Sequence, residues 1–195
     1  HSGHVSLTDA EMPSPGNWTG AEVVIRKNHW IVDRCSITDH TGNTITYSSP
    51  SGYDARDGWG YFVQNDLETL NRPGEWFCAG GKLYMNFGAD DPAMHTVKVS
   101  ALDHLVELSH NDDIVFEHLA FEGADRAAIR ISSSNRVTIQ QSSIRFSGYA
   151  AIDGGEEGGG PSLDLRILNN TITDSQDFGI LLGGEFSGAV ARGNT

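Results

Sequence analysis

Eight side chains acquire chemical meaning when four strand-like segments, 105–109, 128–132, 151–155 and 179–183, are laid over one another. The alignment puts Glu107, Arg130 and Asp153 in one column. A second column, Arg126, Tyr149 and Asp177, precedes the same strand by four residues, near the turn that opens it. Glu156 and Glu157 follow Asp153 in the loop Gly154-Gly-Glu-Glu-Gly-Gly-Gly160. Carboxylates interleaved with arginines suit glycoside hydrolysis, which needs two carboxyl groups about 5 Å apart for retention or ~6.5–9.5 Å apart for inversion. Asp153, Asp177 and Glu156 are therefore the candidate catalytic residues. Arg130, Arg126, Tyr149, Glu107 and Glu157 are the candidate substrate contacts. Which two carboxylates pair stays open. Asp153 is expected to face outward, where Gly154 and Gly155 keep the surface low enough for a sugar ring to approach.

Two other readings of these residues compete. Glu107, Arg130 and Asp153 also form an acid–base–acid ladder on a solvated face, where an exposed pair contributes only ~0.5 kcal/mol. A loop rich in Gly and Glu is equally a solvated turn. A polysaccharide lyase would instead use an arginine base facing a uronate, sometimes through calcium. No calcium-loop cluster is present; His110-Asn-Asp-Asp113 reads as a turn, and the eight histidines show no metal spacing. No cofactor is expected, with calcium left open.

The elements that position these residues are strands in a repeat. Ile114-Val-Phe-Glu-His-Leu-Ala-Phe121, Val137-Thr-Ile-Gln-Gln-Ser-Ser-Ile144 and Leu165-Arg-Ile-Leu-Asn-Asn-Thr-Ile172 align without gaps. Apolar residues occupy positions 1, 3 and 8 of each. Val106, Ile129, Ile152 and Ile180 form an apolar column two residues before Leu108, Ile131, Gly154 and Leu182. Strands alternate their side chains, so both columns face one interior. A step this short leaves no room for a crossover helix. Stacked strands, each coil pairing edge to edge with the next, fit best. Asn170 and Asn194 share one position and predict an amide ladder in a turn.

Residues 23–37 read as an earlier coil of the same kind. Residues 49–95 read as an aromatic insertion, in which 74–87 forms a hairpin turning at Ala79-Gly80-Gly81. Trp59, Tyr61, Trp76 and Tyr84 there suit either a small core or stacking on sugar rings. Asp66 is placed to start one helical turn. The last seven residues, Ala189-Val-Ala-Arg-Gly-Asn-Thr195, match the repeat that begins at Leu165 but stop before its apolar eighth position. The expectation is a single domain over 1–195, cut off within a coil, whose open edge is covered by another chain or a symmetry mate.

Composition narrows the partners. The net charge of −13 excludes a nucleic-acid binder, since little could neutralise a phosphate backbone. With three lysines, Lys27, Lys82 and Lys98, an anionic membrane surface is an equally poor partner. No apolar run approaches the ~20 residues of a membrane-spanning helix. Cys35 and Cys78 form no metal motif; one disulfide or two separate buried thiols both remain open.

Asn135-Arg-Val-Thr-Ile-Gln-Gln-Ser-Ser-Ile144, Asn169-Asn-Thr-Ile172 and Phe178-Gly-Ile180 resemble the repeats of the pectate-lyase-like proteins. Gly60-Tyr-Phe-Val-Gln-Asn65 through Gly81-Lys-Leu-Tyr84 resembles an insertion found in secreted bacterial proteins of that kind. The resemblance implies an all-β chain folded as a right-handed parallel β-helix over about residues 20 to 195. It further implies a secreted carbohydrate-active protein, a glycoside hydrolase before a polysaccharide lyase or a non-catalytic glycan-binding or adhesion module. No family-specific catalytic motif is matched, so it assigns no catalytic residue.

Overall fold

The computed structural model describes residues 4–12, 16–48, 51–154, 161–183 and 186–195. The chain is all-β; its helical elements among those residues are two three-residue 3-10 turns, Leu67–Thr69 and Pro92–Met94. None is long and apolar enough to cross a membrane. The chain divides into two compact units, His1–Thr96 and Val97–Thr195.

The first unit is built on alternation that reverses direction. β1 (Ser6–Thr8), β2 (Glu22–Arg26), β3 (Val32–Thr41), β4 (Thr44–Tyr47) and β5 (Tyr61–Gln64) form an antiparallel sheet in the order β1-β4-β3-β2-β5. Its inward residues, among them Val23, Ile25, Cys35, Ile37, Ile45 and Tyr47, are buried. The coil expected over 23–37 is thereby corrected. Val23 lies opposite Cys35 and Ile25 opposite Asp33, in an antiparallel register. The cause is Asn28, whose side-chain oxygen accepts from the N–H groups of Trp30 and Ile31 and folds the chain back on itself.

The insertion expected over 49–95 is also only partly separate. Within it, β5 pairs antiparallel with β2 and belongs to the main sheet. β6 (Trp76–Ala79) and β7 (Lys82–Met85) do form the expected hairpin, with Gly80 and Gly81 both at positive φ in its two-residue turn. Asp66 caps the first 3-10 turn by accepting from the Glu68 N–H.

One charged pair is sealed in this unit. Lys27 is fully buried and its ammonium lies 2.8 Å from the carboxylate of Asp33. The Ser51 hydroxyl donates to the same carboxylate, and the ammonium sits over the Tyr47 ring. Cys35 and Cys78 are both free, and Cys78 is exposed rather than buried.

The second unit follows the repeat. β8 (His104–Ser109), β11 (Ala127–Ser132), β14 (Ala150–Asp153) and β18 (Phe178–Leu181) form one parallel sheet. β9 (Val115–Glu117), β12 (Thr138–Gln140), β16 (Arg166–Leu168) and β20 (Val190–Arg192) form a second. β10 (Ala120–Ala124), β13 (Ser143–Ser147) and β17 (Thr171–Ser175) form a third. A short parallel pair joins β15 (Ser162–Leu163) and β19 (Phe186–Ser187).

The register agrees with the sequence columns. Val106, Ile129, Ile152 and Ile180 lie side by side, as do Phe121, Ile144 and Ile172. Ile129, Ile131, Ile139, Ile144 and Ile152 are completely buried and make the heart of the core. The last segment stays in step, with Ala191 beside Ile167.

Turns between the sheets keep their polar groups in ladders. The Ser142 N–H donates to the Asn170 side-chain oxygen, and the Asn170 N–H to that of Asn194. The side-chain amide of Asn170 donates to the Ile139 carbonyl, and that of Asn194 to the Ile167 carbonyl. The expected amide ladder is present. One residue earlier, His118, Gln141, Asn169 and Gly193 all adopt positive φ, so the same corner recurs at each level.

Candidate functional site

The first candidate column is assembled as expected. In the parallel register Arg130 lies between Glu107 on β8 and Asp153 on β14. Its guanidinium is 3.9 Å from the Glu107 carboxylate. Glu107 is exposed and Arg130 half-buried. Beyond Asp153 the column ends in Leu181, not another charge.

Asp153 itself requires a correction. It is 6% exposed, so the open outward carboxylate expected of it is in fact buried. Alternation fixes which side of the strand Asp153 takes, but not what covers that side. The low surface expected at Gly154 is corrected as well. A Cβ on Gly154 would lie 2.6 Å from the Phe186 ring and 2.9 Å from Leu182. Gly154 falls on the inward column of Leu108 and Ile131, and Phe186 fills the space its missing side chain leaves in the core. Gly155, Glu156 and Glu157 lie outside the described residues.

The second column is held by backbone bonds. The Tyr149 N–H donates to the Arg126 carbonyl, and the Asp177 N–H to that of Tyr149. The Tyr149 ring meets Phe178 edge-on, 5.5 Å between centroids. Arg126 and Asp177 are exposed. Desolvation by the chain packed around it nevertheless raises the Asp177 carboxyl above its ordinary value.

The register separates the two aspartates. Asp153 pairs with Leu181, four residues after Asp177. At ~3.3 Å per residue and ~4.8 Å between strands, their Cα atoms are about 14 Å apart. The register thus sets the two aspartates four residues apart along neighbouring strands.

The acidic segment 110–113 is the expected turn. His110 and Asp113 take positive φ. Arg136 grips Asp113 at 2.6 Å and Asp112 at 3.4 Å. Hydrogen bonds from Asn135 hold the Asp112 carboxyl below the usual range, and the hydrogen bond from Arg136 does the same for Asp113. Among the described residues no three His, Cys, Asp or Glu side chains converge to hold a metal ion.

Two concavities were not foreseen. One, of about 540 Å³, runs along the ladder turn of the second unit. His118, Gln141, Ser143, Asn169 and Thr171 line it with amide, hydroxyl and imidazole groups and no carboxylate. The other lies within the first unit, about 630 Å³ in volume, bounded by Trp18, Tyr61, Phe62, Glu68, Asn71 and Glu75. Of these only Tyr61 was among the aromatics read as suited to sugar stacking. The rest come from three separated stretches that β5 and the capped 3-10 turn after it bring together.

Elsewhere in the first unit the flagged aromatics are used structurally. Tyr84 stacks on Phe77 at 4.8 Å within the hairpin, and the Arg26 guanidinium lies over Trp59. Burial pushes the Cys35 thiol up to about 11, which leaves it un-ionised and unreactive at neutral pH.

No known protein family, curated protein or solved structure matches the chain.

Proposed function

We propose that residues 97–195 form part of a right-handed parallel β-helix of the pectate-lyase-like kind. On this reading the protein is a secreted glycoside hydrolase acting on a polysaccharide or oligosaccharide. Its substrate lies across the sheet of β8, β11, β14 and β18. The observation that carries the reading is the unbroken parallel register of that sheet, which sets Arg130 between Glu107 and Asp153 on neighbouring strands. Repeating parallel layers bury one face and offer an extended lateral surface to a chain-like ligand.

Asp153 supplies one carboxyl of the pair. Asp177, or one of Glu156 and Glu157, supplies the other. Arg130 contacts a sugar hydroxyl or carboxylate. Asp177, with its raised carboxyl, has the property a general acid needs, in the neighbourhood of Tyr149 and Arg126.

The test is Asp153→Asn in the intact protein, with turnover measured on plant and algal glycans and folding followed by melting temperature. Lost turnover with an unchanged melting temperature supports the reading. Full turnover returns Asp153 to the structural ladder. A second reading, a non-catalytic glycan-binding β-helix, is favoured by the carboxylate-free groove at His118, Gln141 and Asn169. It predicts glycan binding with no turnover even in the parent protein.

A further inference from the structure

We propose that the cleft of the first unit binds a short neutral oligosaccharide. Phe62 meets a ring face, and Glu68, Glu75 and Asn71 take its hydroxyls. Its volume of about 630 Å³ lies within the ~300–1,000 Å³ typical of small-ligand sites. Phe62 is 56% exposed, so its ring is open to a ligand in the cleft. The Tyr61 hydroxyl donates to Asp9 at 2.8 Å, which fixes the ring at the cleft wall.

The polar groups are placed and unspent. The Asn71 side-chain amide makes no hydrogen bond among the described residues, so it can both donate and accept. The carboxylate of Glu68 lies over Gly16, in the space a side chain there would fill. One Glu75 oxygen accepts from the Arg72 N–H, leaving the other free of that bond. Trp18 also lines the cleft, only 7% exposed, and closes its apolar side.

The lining selects against other ligands. It contains no lysine or arginine, and its two carboxylates repel uronates, phosphates and other anions. Carboxylates with aromatic faces also attract an organic cation. A cation would leave the amide of Asn71 unused, whereas a sugar ring presents apolar C–H faces and hydroxyls that can donate and accept. The site shares no residue with the proposed hydrolase surface and is tested by binding, not turnover, so either proposal can fail without the other.

The experiment is calorimetric titration of the protein with neutral trisaccharides of glucose, xylose and galactose, and with choline. At least one trisaccharide is expected to bind. Phe62→Ala and Asn71→Ala should each weaken it about tenfold, the loss of one stacking or hydrogen-bonding contact. Trp30→Ala, an exposed aromatic outside the cleft, should leave it unchanged. Melting temperatures check that both cleft variants fold, and Asn71→Ala carries the test if Phe62→Ala does not. The proposal is overturned by no binding of any trisaccharide, by parental affinity in Asn71→Ala, or by choline binding more tightly than every sugar.

Discussion

The two units meet the same problem, polar groups inside a β-structure, in different ways. The first unit buries the Lys27–Asp33 ion pair, and among the described residues the Trp18 and Tyr47 side-chain donors have no partner. The second stacks Ser142, Asn170 and Asn194 at one corner, where they satisfy one another level by level, while among the described residues the Ser147 and Ser175 hydroxyls, side by side on β13 and β17, have no partner. A repeating backbone offers each buried amide a copy of its own surroundings 23 to 28 residues away. A sheet assembled from unlike segments has no such copy, so each buried polar group needs its own partner. At that corner periodicity provides hydrogen-bond satisfaction as well as packing, whereas at Ser147 and Ser175 it repeats an unsatisfied hydroxyl.

The largest effect should come from breaking the repeat at its centre. Ile129 is fully buried between Val106 and Ile152. Ile129→Asp places an unpaired carboxylate there and should cost more than about 4 kcal/mol, enough to prevent stable folding of the second unit. Ile129→Val, by contrast, should cost only ~0.5–1.5 kcal/mol in a urea titration. A parental midpoint for Ile129→Asp would break the column assignment and with it the contrast between the units.

The same contrast explains what the sequence made legible. The columns at 106, 129, 152 and 180 could be aligned because each segment repeats its neighbour's pattern, and the register follows from alternation. Residues 23–37 carry the same strand–turn–strand outline, yet Asn28 turns the chain straight back. An apolar pattern says which side of a strand is inward, not whether the next strand runs parallel or antiparallel. The candidate site divides similarly. The Glu107–Arg130–Asp153 order was readable from spacing, while the burial of Asp153 and the filling of Gly154 by Phe186 depend on segments outside the column. The cleft of the first unit was hidden because Trp18, Phe62 and Asn71 share no periodicity.

A second experiment sharpens the comparison from the other side. Lys27→Met removes the ammonium and leaves the 5%-exposed Asp33 carboxylate accepting from the Ser51 hydroxyl in the core. Breaking a buried pair in this way costs about 3–5 kcal/mol. The double variant Lys27→Met with Asp33→Leu should recover most of that loss, because neither charge remains to be desolvated. If the single variant unfolds at the parental urea concentration, the pair is no determinant of the first unit, and the contrast drawn above fails.

The smallest effect concerns Asp177, at the edge of the second unit's repeat. Desolvation raises its carboxyl in the folded state, so folding favours the protonated form. The stabilisation this gives is fully present below the ordinary aspartate value of about 3.9. It is lost as pH rises through the raised folded value. At neutral pH the native state therefore carries a charge it would hold more cheaply unfolded. Asp177→Asn should raise the melting temperature slightly at pH 7, reflecting a stability gain of no more than about 0.5 kcal/mol for so exposed a group. The difference should close as the pH is lowered below 4, where the parent is protonated in both states. Melting curves of parent and variant across that range check it. A variant less stable than the parent at pH 7 would mean that the Asp177 carboxylate has a favourable partner, and the repeat's edge would then hold a fixed charge pair, as the first unit does at Lys27.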